Sequence, residues 1–276
     1  STIGASRGVT VGDTGIVAGR GKRIDVVGTT GSAGVVYDFN GDPQPPAGAI
    51  DEGLTPAAVW IRASGAGQGL RAEGGQIAVS GGSGDVLLQR GAQTDALLST
   101  ASGSGAGGGI TVTGRNIYAG ALAGAAGTLA DASGAGTGGD VRLQATTRTS
   151  DNTGGMLALA PGLSVLADSA SATGNGGSIR LLADNSLRAH GTLSARGGAA
   201  GGNGGFIETS GGNLDLTGIR ANAGAPAGAA GTWLVDPYAV AIVSGAGAGT
   251  LPTNPFDALS NSTITSCGAR SRIAPS

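Results

Sequence analysis

Few residues in this chain are of a type that does chemistry. Among 276 residues there are 18 carboxylates, one histidine and one cysteine. Asp85 and Asp140 each follow a glycine and open a short apolar run, so they share a frame position. Carboxylates gathered on one face are what polysaccharide cleavage needs, about 5 to 9 Å apart for hydrolysis. At the equivalent positions further on stand Ser178 and Phe206, which breaks the set. Asp51 and Glu52 are adjacent within a proline-rich stretch, where solvated side chains are expected. His190 has no cysteine or carboxylate beside it at metal-ligand spacing. Cys267 has no histidine at a plausible station to make it a nucleophile. The sequence therefore predicts no catalytic residue, no metal ligand and no cofactor site.

Other motifs have structural readings. Gly65-Ala66-Gly67-Gln68-Gly69 looks like a phosphate loop, but no helix pattern follows it, so turn glycines are expected. Gly21-Lys22 is followed by Arg23 rather than Ser or Thr, and Ile16 stands where a P-loop needs glycine. Gly81-Gly82-Ser83-Gly84-Asp85 approaches a calcium nonapeptide but shifts the aspartate by one and does not recur in tandem. An aspartate capping a turn is the expectation there. Asn261-Ser262-Thr263 matches a glycosylation acceptor, a triplet common by chance. Trp233 and Tyr238 could stack on sugars; as a cap over apolar residues at the end of a repeat they have a simpler role.

The elements that hold these residues are set by glycine. There are 57 glycines, while aromatic residues are 3% and charged residues 12%. Average usage is about 7% glycine. No G-X-Y period is present, which excludes collagen. Low charge argues against simple disorder. The net charge is −2, with Lys22 the single lysine among 16 basic residues, so nothing marks a nucleic-acid partner. No apolar run approaches the roughly 18 residues of a membrane span. A single cysteine allows no internal disulfide. The start, STIGASRGVTVG, has neither a basic n-region nor an apolar h-region, so either the protein stays inside the cell or this is an internal piece of a longer exported chain, and a start and stop in mid-pattern favour the second.

One frame recurs: a glycine pair, a short strand, a turn, a strand, then a Gly/Ala/Ser loop. It is read at Gly84, Gly108-Gly109, Gly138-Gly139, Gly176-Gly177, Gly204-Gly205 and Gly231. Spacings of about 25 to 40 residues belong to solenoids, propellers or arrays. Helical repeats would need apolar residues at i, i+3 and i+4, and each helical glycine would cost about 1 kcal/mol. Propeller blades need longer strands with an aromatic signature. Short strands joined by glycine corners fit an all-β parallel β-helix (β-solenoid), with coils stacked about 4.8 Å apart. Val86, Val141, Ile179 and Ile207 are expected to form one core ladder. The Gly/Ala-rich loops should lie outside the stack, where length is cheap. Residues 1–244 are assigned to the β-helix. An excursion at 38–58 carries Pro43, Pro45, Pro46 and Pro56 and is the best candidate for partner contact. Residues 245–276 read as an irregular tail.

Gly204-Gly205-Phe206-Ile207-Glu208-Thr209-Ser210-Gly211 and then Gly231-Thr232-Trp233-Leu234-Val235-Asp236-Pro237 carry a more specific signal. This pairing resembles the filamentous-haemagglutinin-like adhesins, exoproteins of two-partner secretion in Gram-negative bacteria. The resemblance is strong from Gly204 to Ser244 and looser over 60–203. It implies a right-handed parallel β-helix stalk, passage through a dedicated outer-membrane β-barrel transporter, location at the cell surface, and adhesion to a host receptor or glycan rather than catalysis. The family's amino-terminal secretion domain is not visible here, so export would depend on sequence outside this chain. From Ser266 the chain leaves the family's β pattern, as a reading-frame change or truncation would make it.

The leading expectation is therefore a stalk segment of a secreted adhesin. A carbohydrate-active β-helix enzyme, lyase or hydrolase, is the alternative; two or three carboxylates on one ladder face would favour it. An ice- or surface-binding solenoid would need a flat array of threonines, and the threonines here are scattered.

Overall fold

A computed structural model describes residues 2–5, 8–29, 36–37, 43–44, 57–92, 95–148, 153–238 and 271–273. It is a parallel β-helix. Each coil has three short strands meeting at three corners, and every strand lies in parallel register on its counterpart one coil away.

The first face stacks Thr2–Ala5, Arg23–Gly28, Gln76–Ser80, Gly109–Gly114, Asp140–Ala145, the opening halves of Ser178–Ala189 and Phe206–Asp215, and Thr232–Pro237. The second face stacks Val9–Gly12, Val59–Ala63, Val86–Arg90, Asn116–Ala121, Met156–Leu159 and the closing halves of those two long strands. The third face is a 7-stranded sheet running from Gly15–Ala18 to Arg220–Asn222. The two long strands bend around the first corner; a register shift between Ala183 and Ser186 marks the bend.

Alternation along each strand turns every second side chain inward. Arg23–Gly28 and Asp140–Ala145 both read exposed or partial, then buried, in strict alternation. The inward residues form ladders. On the first face Ile24, Ile77, Ile110, Val141, Ile179 and Ile207 stack in register, with Val26, Val79, Val112, Leu143, Leu181 and Thr209 beside them. On the second face the ladder is Val9, Val59, Val86, Ile117, Leu157, Leu187 and Leu214. Burying each Val, Leu or Ile is worth about 1.5–3 kcal/mol, so the interior is one continuous apolar column.

Val86 thus does not share a ladder with Val141, Ile179 and Ile207. The glycine pair of its coil is Gly74-Gly75, which opens Gln76–Ser80. Gly84-Asp85 sits at the next corner and opens the second face. Two corners of the coil use glycine, and sequence spacing alone does not tell them apart.

Insertions leave the stack at that same first corner. Between Arg23–Gly28 and Val59–Ala63 lies the excursion 38–58, most of which is outside the described residues. Within and beside it Val36–Tyr37 and Pro43–Gln44 pair antiparallel, so Pro43 does enter a short strand. Thr147–Arg148 and Thr153–Gly154 form a second antiparallel pair between the first and second faces of a later coil. Beyond Tyr238, Ser271–Ile273 pairs antiparallel with Thr232–Pro237. A single 3-10 turn, Leu122–Gly124, is the only helical element among the described residues, and no helix there is long and apolar enough to cross a membrane.

Candidate functional site

The third corner of each coil is where the sequence frame becomes geometry. The chain leaves the third face at Ala132, Ala167, Ala195 or Ala223 and re-enters the first face at Gly139, Gly177, Gly205 or Gly231. Each re-entry glycine donates its N–H to the alanine carbonyl it left, at 2.7, 2.7, 2.8 and 2.7 Å respectively. Their carbonyls point to the next coil: Gly108, Gly139, Gly177 and Gly205 accept from Asp140, Ser178, Phe206 and Thr232 at 3.1, 2.9, 2.9 and 3.0 Å. A Cβ on any of these glycines would lie far inside contact distance of the carbonyl below it. Glycine is required here because two backbones approach closely, not because φ is positive.

The loops between departure and re-entry are expected outside the stack. They do lie outside, but they stack on one another. Gly136 donates to the Gly105 carbonyl at 2.8 Å, Ser102, Gly134 and Ser169 form successive parallel bridges, and Ser169 Oγ donates to the Gly136 carbonyl at 2.6 Å. Asn175 Oδ1 accepts from the Asn203 N–H at 2.7 Å, and Asn203 Oδ1 accepts from the Ala229 N–H at 3.0 Å. In the same register the Asn175 and Asn203 carbonyls accept from Gly138 and Gly176, both at 2.9 Å. An asparagine pair thus ties three loops into a ladder. The signal that could have revealed it is the recurrence of Asn two residues before the re-entry glycine.

Between this loop ladder and the first face runs a shallow open groove. Its floor is the bare backbone of the glycine pairs Gly176-Gly177 and Gly204-Gly205. Asn175 and Asn203 stand on one side; Asp140, Ser178, Phe206 and Thr232 stand on the other. The last four are in register on consecutive coils. Ser178 Oγ donates to Asp140 Oδ1 and accepts from Arg180 at 3.0 Å. The Arg180 guanidinium lies 5.2 Å from the Phe206 ring centre and 3.5 Å from Glu208.

Other side chains able to do chemistry are engaged separately. Asp85 takes a bidentate pair from Arg115 at 2.9 and 3.0 Å and a bond from Asn116 at 3.0 Å. It lies at the first corner and does not share a position with Asp140, which opens the first face. Asp168 is held by Arg196 and by Ser194 Oγ at 2.7 Å. His190 Nε2 lies 3.1 Å from Asp215 Oδ2, both side chains being more than nine-tenths buried. Burial pushes the Asp215 carboxyl up, but bonds from Thr217 and the nearby His190 hold it on balance below its usual range. Gly67 and Gly69 adopt φ of +78° and +100°, as turn glycines do. Asp51, Glu52, Asn261 and Cys267 lie outside the described residues.

Trp233 and Tyr238 part company. Trp233 is in register with Ile207, packs on the end of the apolar column, and donates its indole N–H to the buried Thr209 Oγ1 at 3.2 Å. Tyr238 is 86% exposed and, among the described residues, does not pack on the column. No group of three or more His, Cys, Asp or Glu side chains suited to a metal occurs among the described residues.

Comparison with known proteins adds no relative: no family model, no curated protein and no solved structure matches the chain. The chain is placed by its fold alone, as a parallel β-helix.

Proposed function

We propose that this chain is a stalk segment of a large secreted bacterial surface adhesin, a mechanical part and not a catalyst. One observation carries most weight: a single apolar column and a single glycine–carbonyl ladder pass through coil after coil, so the coils are interchangeable units. Such a stack adds length without new machinery. The carboxylates support the same reading. Asp13, Asp85, Asp168 and Glu208 each face an arginine rather than one another, whereas hydrolysis needs two carboxylates across one bond. The sequence likeness at Gly204–Pro237 supplies the adhesin class and, through sequence outside this chain, an outer-membrane β-barrel transporter. Contacts from coil to neighbouring coil suit a chain that folds as it emerges from a pore.

The test is surface labelling. Antibody raised against residues 57–238 should decorate intact cells of the source organism and lose its epitope on external protease treatment. Deleting the segment in frame should shorten the surface structure and reduce adherence. Signal found only after cell lysis would contradict the proposal. Release of reducing sugar or unsaturated product from a polysaccharide would favour the enzyme instead.

A further inference from the structure

The groove beside the loop ladder has the makings of a binding site. From its geometry we infer that it binds a neutral oligosaccharide lying along the stack axis, with one sugar ring per coil. The inference deepens the stalk proposal by naming a ligand class, and it rests on that proposal for its biological purpose.

Four features point to a sugar. First, the floor is glycine backbone, so a flat ring can approach closely. Second, the groove crosses consecutive coils, about 4.8 Å apart, close to the length of one pyranose ring with its linkage. Third, it offers both kinds of hydrogen-bonding group. Asn175 and Asn203 use Oδ1 to hold the neighbouring loop, and no described residue accepts from their Nδ2 groups, which are left as donors on exposed side chains. Asp140 supplies carboxylate acceptors from the opposite wall. Fourth, Phe206 lines the groove partly exposed, with Arg180 set against its ring. An aromatic face beside convergent polar groups is how sugar rings are commonly held: the ring packs on apolar C–H faces while the hydroxyls take the polar partners.

Other ligand classes fit less well. The strand backbones that border the groove are already paired, Gly139 and Gly177 carbonyls with Ser178 and Phe206 N–H groups, so an added peptide strand finds no free edge there. An anion meets Asp140 directly, and the neighbouring cations are already engaged, Arg180 by Glu208 and Ser178 and Arg142 by Gln144.

The purified chain should be applied to an array of immobilised neutral gluco-, manno-, galacto- and N-acetylglucosamine-configured oligosaccharides, with heparin oligosaccharides alongside. Calorimetry on the best tetrasaccharide follows. Two variants separate binding from folding. Phe206→Ala removes an outward ring. The double variant N175D/N203D keeps both Oδ1 acceptors and replaces only the amide donors. Each should weaken binding about tenfold or more, roughly 1.4 kcal/mol, with unchanged circular dichroism. Absence of binding to any neutral glycan, binding confined to heparin, or full affinity in both variants would each overturn the inference. Surface labelling reads the stalk proposal independently: labelled cells whose protein ignores every glycan sink the groove and leave the stalk standing.

Discussion

At Gly177 the absence of one carbon atom decides whether two coils can meet. Its position lies against the Gly139 carbonyl, and alanine there forces the coils apart. Gly103, in a loop, has open space around it. Gly177→Ala should therefore cost about 1–3 kcal/mol or more, as overpacking does, while Gly103→Ala should be within about 0.5 kcal/mol of wild type. Urea unfolding followed by circular dichroism separates the two, and equal effects would refute the close-approach account. Arg90 makes the opposite kind of contribution. It is 3% exposed and donates to the carbonyls of Thr128, Gly91 and Ala126 at 3.0, 2.8 and 2.7 Å. Arg90→Ala leaves the buried Gly91 carbonyl without this donor, and one such group costs about 1–3 kcal/mol; the same urea titration should show a loss of about that size. Two titrations test buried groups. Burial, with Asp85 nearby, raises the Tyr118 phenol to about 12. A raised value means its stabilising contribution is complete below the free value of about 10 and is lost as pH climbs towards 12. Ultraviolet difference titration against Tyr118→Phe should show that late phenolate. Asp215 runs the other way: its carboxyl is held low, so its contribution exists above about pH 3.9 and fades as pH falls through the folded value. Melting temperature should drop in acid, and Asp215→Asn should flatten that drop.

At the scale of elements, the glycine frame was visible in the sequence because close backbone approach leaves only one residue type. Strand positions were visible because a half-buried strand must alternate, as Ile110, Val112 and Gly114 do. What stayed hidden has equally physical causes. Gly84-Asp85 imitates the re-entry glycine pair, yet it serves the corner between the first and second faces, so Val86 was assigned to the wrong ladder. The loop ladder was hidden because its bonds run from side chain to backbone between residues such as Asn175 and Asn203, and composition makes such loops look merely permissive. The groove was hidden too: in the sequence Phe206 and Ser178 break a carboxylate series, whereas in the fold they form one wall with Asp140. Trp233 was placed correctly at the end of the column, whereas Tyr238, next to Pro237, was not. Corners also differ in tolerance. The excursion at 38–58 and the hairpin around Thr147–Gly154 both leave at the first corner, so that corner accepts insertions without breaking the ladders on either side.

For the molecule as a whole the claim is that the coil is the unit of construction. Stability in such a stack is close to a sum of coil terms and nearest-neighbour terms, so a coil removed in register leaves equivalent surfaces to rejoin. Gly139 and Gly177 occupy the same ladder position one coil apart. Deleting residues 140–177 therefore joins Gly139 to Ser178, sets Ile179 over Ile110, and keeps every inward residue inward. Deleting residues 142–178 instead joins Val141 to Ile179 and leaves one residue too many inside the strand. Because the side-chain period is two, that slip turns the apolar set of the following strand outward. The most direct measurement is the thermal unfolding of these two deletions beside the intact chain, followed by far-ultraviolet circular dichroism. The account predicts that the in-register deletion keeps a β signal and a cooperative melt while the slipped one loses both. Loss of the fold in the two deletions alike, or its survival in both, would contradict a stalk built from interchangeable coils.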